Sequence, residues 1–419
     1  MSARPAIYLD SNAGAPLHPE VAAALLPFLS SSENFVHSNP SSLHAFGRKA
    51  RKALNQARTQ ILQSLGLPGE DKSRAGTLAQ SEVVFTSSGT EANHMAIRSA
   101  LRESFSHARS STVPPSPFEK THWIATAVEH DSVLQLIEEF RGAGGEVDFL
   151  PVNADGVSDP ESLQALLKPH TALVSILWVN NETGVIQPLT ELIATLQRHQ
   201  KTQTRPARLH VDAAQAWGKL PIVLRERGEA DCSTIDYLTL SGHKIGALAG
   251  TGVLWARSRR DVSPLMPGKQ QNELRGGTEN LLGIVSLGAA ASAMDPDSYR
   301  NELAPLRDEL QDAISKRIPG VWVNGVDSAR VANTLSLSFD HLQGEGLVQR
   351  LDLAGYCVSS GSACASGTAS PSHVLMAMGR SEAQARASLR ISLCRGIRRE
   401  ELKGFVNALE DAVARFRSS

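Results

Sequence analysis

The sequence predicts an α/β protein, with a large unit built on a mostly parallel sheet and a smaller α+β unit at the C-terminal end. Three observations lead there. Short β-branched runs alternate with longer helix-period segments up to about residue 297. From about residue 298 the text turns to charged helix-period sequence broken by "NTLSLSFD" and "SLRISLC". A chain of 419 residues, 41% of them apolar, can bury a large core and fill two domains.

The strands of the large unit are predicted in order from "EVVFTS" (82–87), "HWIATAVEH" (122–130), "EVDFLPV" (146–152), "ALVSILWVN" (172–180), "ARLHVDAA" (207–214), "IDYLTLS" (235–241) and "GVLWAR" (252–257). All read as buried strands, and helices such as "DSVLQLIEEFRGAG" and "ESLQALLKPH" lie between them. Such alternation favours parallel pairing. The expected division is a large domain over 18–297 and a small domain over 1–17 and 298–419. The stretches 69–80 and 106–120 read as exposed loops.

A formal net charge of −1 provides no global field for nucleic acid or an anionic membrane. No apolar run reaches membrane-spanning length, and "MSARPAIYLD" lacks a secretory apolar stretch, so the expected compartment is the cytoplasm. Four cysteines (Cys232, Cys357, Cys364, Cys394) show no CxxC spacing, which gives little support to a disulfide framework or a metal site.

In open α/β sheets, ligands bind beyond the carboxyl ends of the strands. The first such end is "SSGTEANH". Read alone, it fits a plain helix start, with Thr90 as N-cap and Asn93 exposed; it also fits an anion cradle built from small hydroxyl residues and helix N–H groups. His130 is either an idle helix-start residue or a group that stacks on a planar ring or moves a proton. Asn181 either turns the chain or donates to a ligand. Asp212 ends an apolar strand, where a carboxylate needs a hydrogen bond or a protonated ring nitrogen. Lys244 follows the strand ending at Ser241, beside His243. A partly buried lysine can become a nucleophilic amine. Lysine amine, ring-nitrogen acid, anion cradle and stacking histidine together are the parts that hold pyridoxal 5'-phosphate.

"YLDSNAGAP", "SSGTEAN", "EHDSVL", "VNNETGVIQPL", "HVDAAQ", "SGHK", "RGGTEN", "SSGSACASG" and "SLRISL" resemble, in that order, the motifs of cysteine desulfurases. These are fold-type I, class-V aminotransferase-like enzymes that use pyridoxal phosphate. The resemblance runs from about residue 7 to about 410 and is closest to the longer-loop group associated with iron–sulfur cluster and nitrogenase maturation.

It implies that Lys244 carries the cofactor as a Schiff base, Asp212 holds the pyridinium nitrogen and His130 stacks on the ring. Asn181 and Gln215 would contact the ring and its phenolic oxygen, and Gly89, Thr90, Ser241 and His243 the phosphate. Thr278 would reach the phosphate site of a partner subunit, which implies a homodimer. Asn333 and Arg390 would bind the carboxylate of L-cysteine. Cys364, on a loop of small residues at about 360–370, would take the sulfur as a persulfide and pass it to a protein acceptor such as an iron–sulfur scaffold. Ser370 would cap the helix after that loop and Gly379 end it. Burial is expected for the other three cysteines. The alternative is a selenocysteine lyase or another related β-elimination enzyme. "GHKIGALAGTG" and "DSNAGAP" depart from the usual text of the family around the lysine and near the N-terminus.

Overall fold

The computed structural model describes residues 6–30, 38–68, 82–102, 121–224, 234–340, 342, 344–361 and 370–417. Cys232, Cys364 and the predicted loops at 69–80 and 106–120 lie outside the described residues.

The strands are β1 (Ile7–Tyr8), β2 (Glu82–Thr86), β3 (His122–Thr126), β4 (Glu146–Leu150), β5 (Thr171–Leu177), β6 (Arg208–Asp212), β7 (Tyr237–Ser241), β8 (Gly252–Ala256), β9 (Val321–Val323), β10 (Thr334–Phe339), β11 (Tyr356–Cys357), β12 (Ser359–Ser360) and β13 (Ser388–Ser392). A seven-stranded sheet has the order β2-β8-β7-β6-β5-β3-β4. Only β8 runs against its neighbours, so the sheet is mostly parallel.

Side chains alternate across a strand, and here both faces are covered. Val83, Phe85, Leu238, Leu240, Val253 and Trp255 enter one core, while Val84, Tyr237, Leu254 and Ala256 enter another. Helices 45–64 and 281–293 cover the first face through Leu54, Ile61, Ile284 and Leu287. β4 departs from expectation: it lies at the sheet edge, where only Leu150 of its five residues is fully buried.

The second sheet, β12-β13-β10-β9, is antiparallel and pairs the two segments predicted from "NTLSLSFD" and "SLRISLC". Leu337, Phe339, Leu389 and Ile391 pack there with Leu310, Phe405 and Leu409 from helices 296–317 and 399–417. Leu9 joins this core from the N-terminus, where β1 pairs with β11. Beyond it the chain crosses to the large sheet. Ser11 N–H donates to the Ser392 carbonyl at 3.1 Å, and Ala15 N–H to the His243 carbonyl at 2.7 Å.

Several local expectations shift. The helix predicted from "ESLQALLKPH" is Pro160–Leu166, because Leu167 already takes extended backbone. Ser372, not Ser370, caps the short helix His373–Ala377, since its hydroxyl accepts from Leu375 N–H. Gly379 follows in the left-handed region, at φ 82°. Cys357 and Cys394 are half-buried rather than buried. Burial still pushes the Cys394 thiol up to about 11, so it stays protonated. No helix among the described residues is long and apolar enough to cross a membrane.

Candidate active site

The carboxyl ends of β2, β3, β5, β6 and β7 share one edge of the large sheet, and the predicted cofactor residues other than Thr278 close or follow these strands. Thr86 ends β2, and the chain turns into helix Gly89–Ala100. Ser88 caps that helix, its hydroxyl accepting from Glu91 N–H at 3.1 Å. The cap is therefore two residues earlier than Thr90, which sits exposed inside the first turn. The N–H groups of Gly89 and Thr90 have no acceptor within the helix. Gly89 lies tight against the next strand end: a Cβ there would come 3.3 Å from the Ser241 Cβ. Ser241 Oγ meets His243 Nδ1 at 3.2 Å. Burial, then the neighbouring Lys244, push the His243 imidazole down to about 4, so it is neutral near pH 7.

Asp212 closes β6 with 3% of its surface exposed. Its Oδ1 accepts from Ala214 N–H at 2.9 Å and its Oδ2 from the Asn93 amide at 2.8 Å. Asn93 is thus buried, not exposed, because it is the polar group that pairs this carboxylate. No lysine or arginine forms an ion pair with Asp212 among the described residues. Asn93 Nδ2 also donates to Ser132 Oγ at 2.9 Å, and Ser132 Oγ meets His130 Nδ1 at 2.9 Å. His130 is the N-cap of helix Asp131–Gly142, with Nδ1 accepting from Ser132 N–H. In the neutral ring that places the proton on Nε2.

Lys244 ends a single helical turn, Gly242–Lys244, directly after β7. Its Nζ donates to the carbonyls of Asn12 at 2.7 Å and Ala13 at 3.0 Å. Gln215 Nε2 donates to the same Asn12 carbonyl at 3.0 Å. The Asn12 side chain donates to the Asn181 carbonyl at 3.1 Å and to Thr334 Oγ1 at 2.9 Å. Asn333 directs its amide at Ser11 Oγ (3.1 Å) and Asn12 Oδ1 (3.0 Å).

Arg390, in the middle of β13, is 3% exposed. Its Nη2 pairs with Asp10 at 2.7 Å, and its Nη1 donates to the Asn181 carbonyl at 3.3 Å. Its Nε is buried without a hydrogen-bond partner. Thr278 stands apart, exposed after the left-handed Gly277, and Cys364 lies outside the described residues. Gly361 and Ser372 do bracket the segment that holds Cys364. Both reach Glu182 of "NNETG": Ser372 Oγ donates to its Oε2, and a Cβ at Gly361 would lie 3.6 Å from that oxygen. Burial pushes the Glu182 carboxyl up to about 7.

Sequence reasoning missed Asp10, Asn12, Asn93, Glu182 and Lys219. Their signal was weak, because polar residues after strand ends are common in loops. "DSN" directly after the apolar "IYL" was the readable hint for the first two.

These groups fit pyridoxal phosphate on the structure's own terms. A buried carboxylate without a counter-cation suits a protonated ring nitrogen, and the Gly89–Ser241 approach makes a cradle that a side chain would fill. Among the described residues no group of three or more His, Cys, Asp or Glu could hold a metal ion.

The aminotransferase class-V model matches residues 7–405. A cysteine desulfurase of Cereibacter sphaeroides is 40% identical over 415 residues, covering 98% of this chain and 97% of that protein. One of Trichormus azollae is 38% identical over 415 residues, covering 98% and 94%. A solved structure described as a NifS-like protein superposes with a TM-score of 0.82 at 27% identity, covering 98% of this chain and 99% of its own. The chain belongs to the class-V aminotransferase family, among the cysteine desulfurases, whose cofactor is pyridoxal phosphate.

Proposed function

We propose that the chain is a pyridoxal phosphate-dependent cysteine desulfurase in which L-cysteine and an enzyme thiol give L-alanine and an enzyme persulfide. The observation that carries this reading is the shared edge of Asp212, Lys244 and Ser241 at adjacent strand ends, in a chain so similar to cysteine desulfurases.

Pyridoxal phosphate, when bound, withdraws electrons from the substrate Cα. Asp212 would hold the proton of the ring nitrogen, with Asn93 fixing its carboxylate at Oδ2. His130 would cover the ring, and Asn181 and Gln215 would meet its polar edge. Gly89 and Thr90 N–H, Ser241 and His243 would hold the phosphate. The neutral His243 can donate one hydrogen to it, or take a proton as the dianion arrives. Arg390 and Asn333 bind the substrate carboxylate, a role supported by the unpartnered Arg390 Nε. Lys244 Nζ removes the Cα proton and returns it. Cys364, as thiolate, attacks the substrate sulfur: a sulfur–sulfur bond forms, the carbon–sulfur bond breaks, and the carbon is protonated to give alanine. Glu182 lies between Gly361 and Ser372, on the two sides of the segment that carries this thiol.

We further place the protein in the cytoplasm as a homodimer, with Thr278 at the partner's phosphate site. Its acceptor is a protein of iron–sulfur cluster assembly. The division at residues 18 and 298 is supported by two separate cores, one drawn mainly from 21–291 and one from Leu9 and 303–413.

Borohydride reduction of the coloured protein tests the cofactor linkage. It should fix the chromophore on Lys244, and Lys244→Ala should bind none covalently. Cys364→Ala should keep the colour and lose sulfide release from L-cysteine in the presence of a thiol reductant. Fixation on another lysine, or full sulfide release by Cys364→Ala, would overturn the assignment.

A further inference from the structure

A second lysine lies under the first. Lys219 is 6% exposed, and no ion pair joins it to a carboxylate among the described residues. Its Nζ donates to Asn12 Oδ1 at 2.8 Å and to Gln215 Oε1. Burying an ammonium costs several kcal/mol without a counter-charge. Burial, then Lys244 and Arg390, hold the Lys219 amine well below the usual lysine range. A methionine would fill a similar space without that cost, and what the amine adds is its two hydrogen bonds, to Asn12 and Gln215.

Those hydrogens act on the residue that receives Lys244. Asn12 presents two oxygens to four donors. Its side-chain Oδ1 takes Lys219 and Asn333, and its carbonyl takes Lys244 at 2.7 Å and Gln215 at 3.0 Å. Lys219 therefore grips both Asn12 and Gln215, the two side chains that frame the acceptor of the Lys244 amine. Among the described residues Gln215 Oε1 accepts from Lys219, and Nε2 of the same amide donates to the Asn12 carbonyl, so the amide is held at both ends. If Lys219 lost its donors, the amide would keep only its bond to the Asn12 carbonyl and Asn12 Oδ1 only its bond from Asn333, so the frame around the Lys244 acceptor would loosen.

We propose that Lys219 is a positioning residue for Lys244, acting through Asn12 and Gln215 to fix the place and protonation of the reacting amine. The proposal rests on the desulfurase reading, in which Lys244 moves the Cα proton. It assigns Lys219 no contact with substrate or cofactor. A misplaced proton-transfer group commonly costs about tenfold to a hundredfold in rate, and the loss should fall mainly on kcat, because Lys219 reaches the substrate-binding Asn333 only through their shared acceptor, Asn12 Oδ1.

The experiment uses the holoenzyme with Lys219→Met and Lys219→Gln. Three quantities are read: kcat, KM for L-cysteine, and the midpoint pH of the visible absorbance of the bound cofactor. Lys219→Met should lower kcat about tenfold or more with KM within about threefold, and move the midpoint by about half a unit or more. Lys219→Gln restores an amide donor and should recover part of both effects. Should Lys219→Met fail to fold, Lys219→Gln and Asn12→Ala, singly and combined, decide: losses well short of additive support a shared path, and additive losses overturn it. Unchanged kcat and midpoint, or a drop in melting temperature alone, would reduce Lys219 to a structural residue. A parent protein with no chromophore and no alanine production would instead overturn the desulfurase reading itself.

Discussion

Asn93 donates to Oδ2 of Asp212 at 2.8 Å, and through Ser132 the same amide is linked to Nδ1 of His130. The acid expected behind the cofactor ring and the imidazole expected over it thus share one network. Asn93→Ala should leave Asp212 with a single backbone donor. A hydrogen bond to a charged group is worth ~1.5–3 kcal/mol, so kcat/KM should fall roughly ten- to a hundredfold. A pH titration of cofactor absorbance, run beside steady-state kinetics, checks it. Unaltered kinetics would mean that Asp212 does not need this donor.

Arg390 spends Nη2 on Asp10 and keeps Nε without a partner. Arg390→Lys keeps the charge but removes the planar fork. KM for L-cysteine should rise about tenfold or more, while the cofactor spectrum stays the same. A spectral change with an unchanged KM would move Arg390 from the substrate to the cofactor.

Burial holds the Glu129 carboxyl up at about 8, against 4.5 unperturbed. Between those values the folded chain keeps a proton that the unfolded chain releases, so stability falls as pH rises through the window. Glu182, up at about 7, acts in the same direction over its own range. Glu129→Gln removes one of these terms. Its melting temperature should gain on the parent by a few degrees between pH 5 and pH 8. A gap that stays constant with pH would show that Glu129 titrates near its ordinary value.

Gln271 completes the β2 edge of the large sheet. Its side-chain amide accepts from Phe85 N–H at 2.7 Å and donates to the Phe85 carbonyl at 2.8 Å, in place of a further strand beside β2. The turn that aims it is strained, with Gln271, Asn272 and Glu273 at φ 48°, 60° and 67°. Gln271→Ala should cost about 1–3 kcal/mol, because both Phe85 groups lose their partner. Denaturant unfolding measures this, and a loss below about 0.5 kcal/mol would mean that water replaces the amide fully.

The sequence by itself determined the strands, the mostly parallel sheet and the principal chemical groups. Short β-branched runs and strand-end position are local properties, so Asp212, Lys244 and Ser241 could be read as strand-end groups from the text around them. The tertiary structure decided what each group touches. Asn12 meets Gln215, Lys219, Lys244, Asn333 and Thr334 only because the N-terminal segment crosses from β13 to the turn after β7. Asn93 looked like an exposed residue of a helix start until the end of β6 was brought against it. A buried polar group is defined by its partners, and partners more than a hundred residues away leave no periodic trace in the chain.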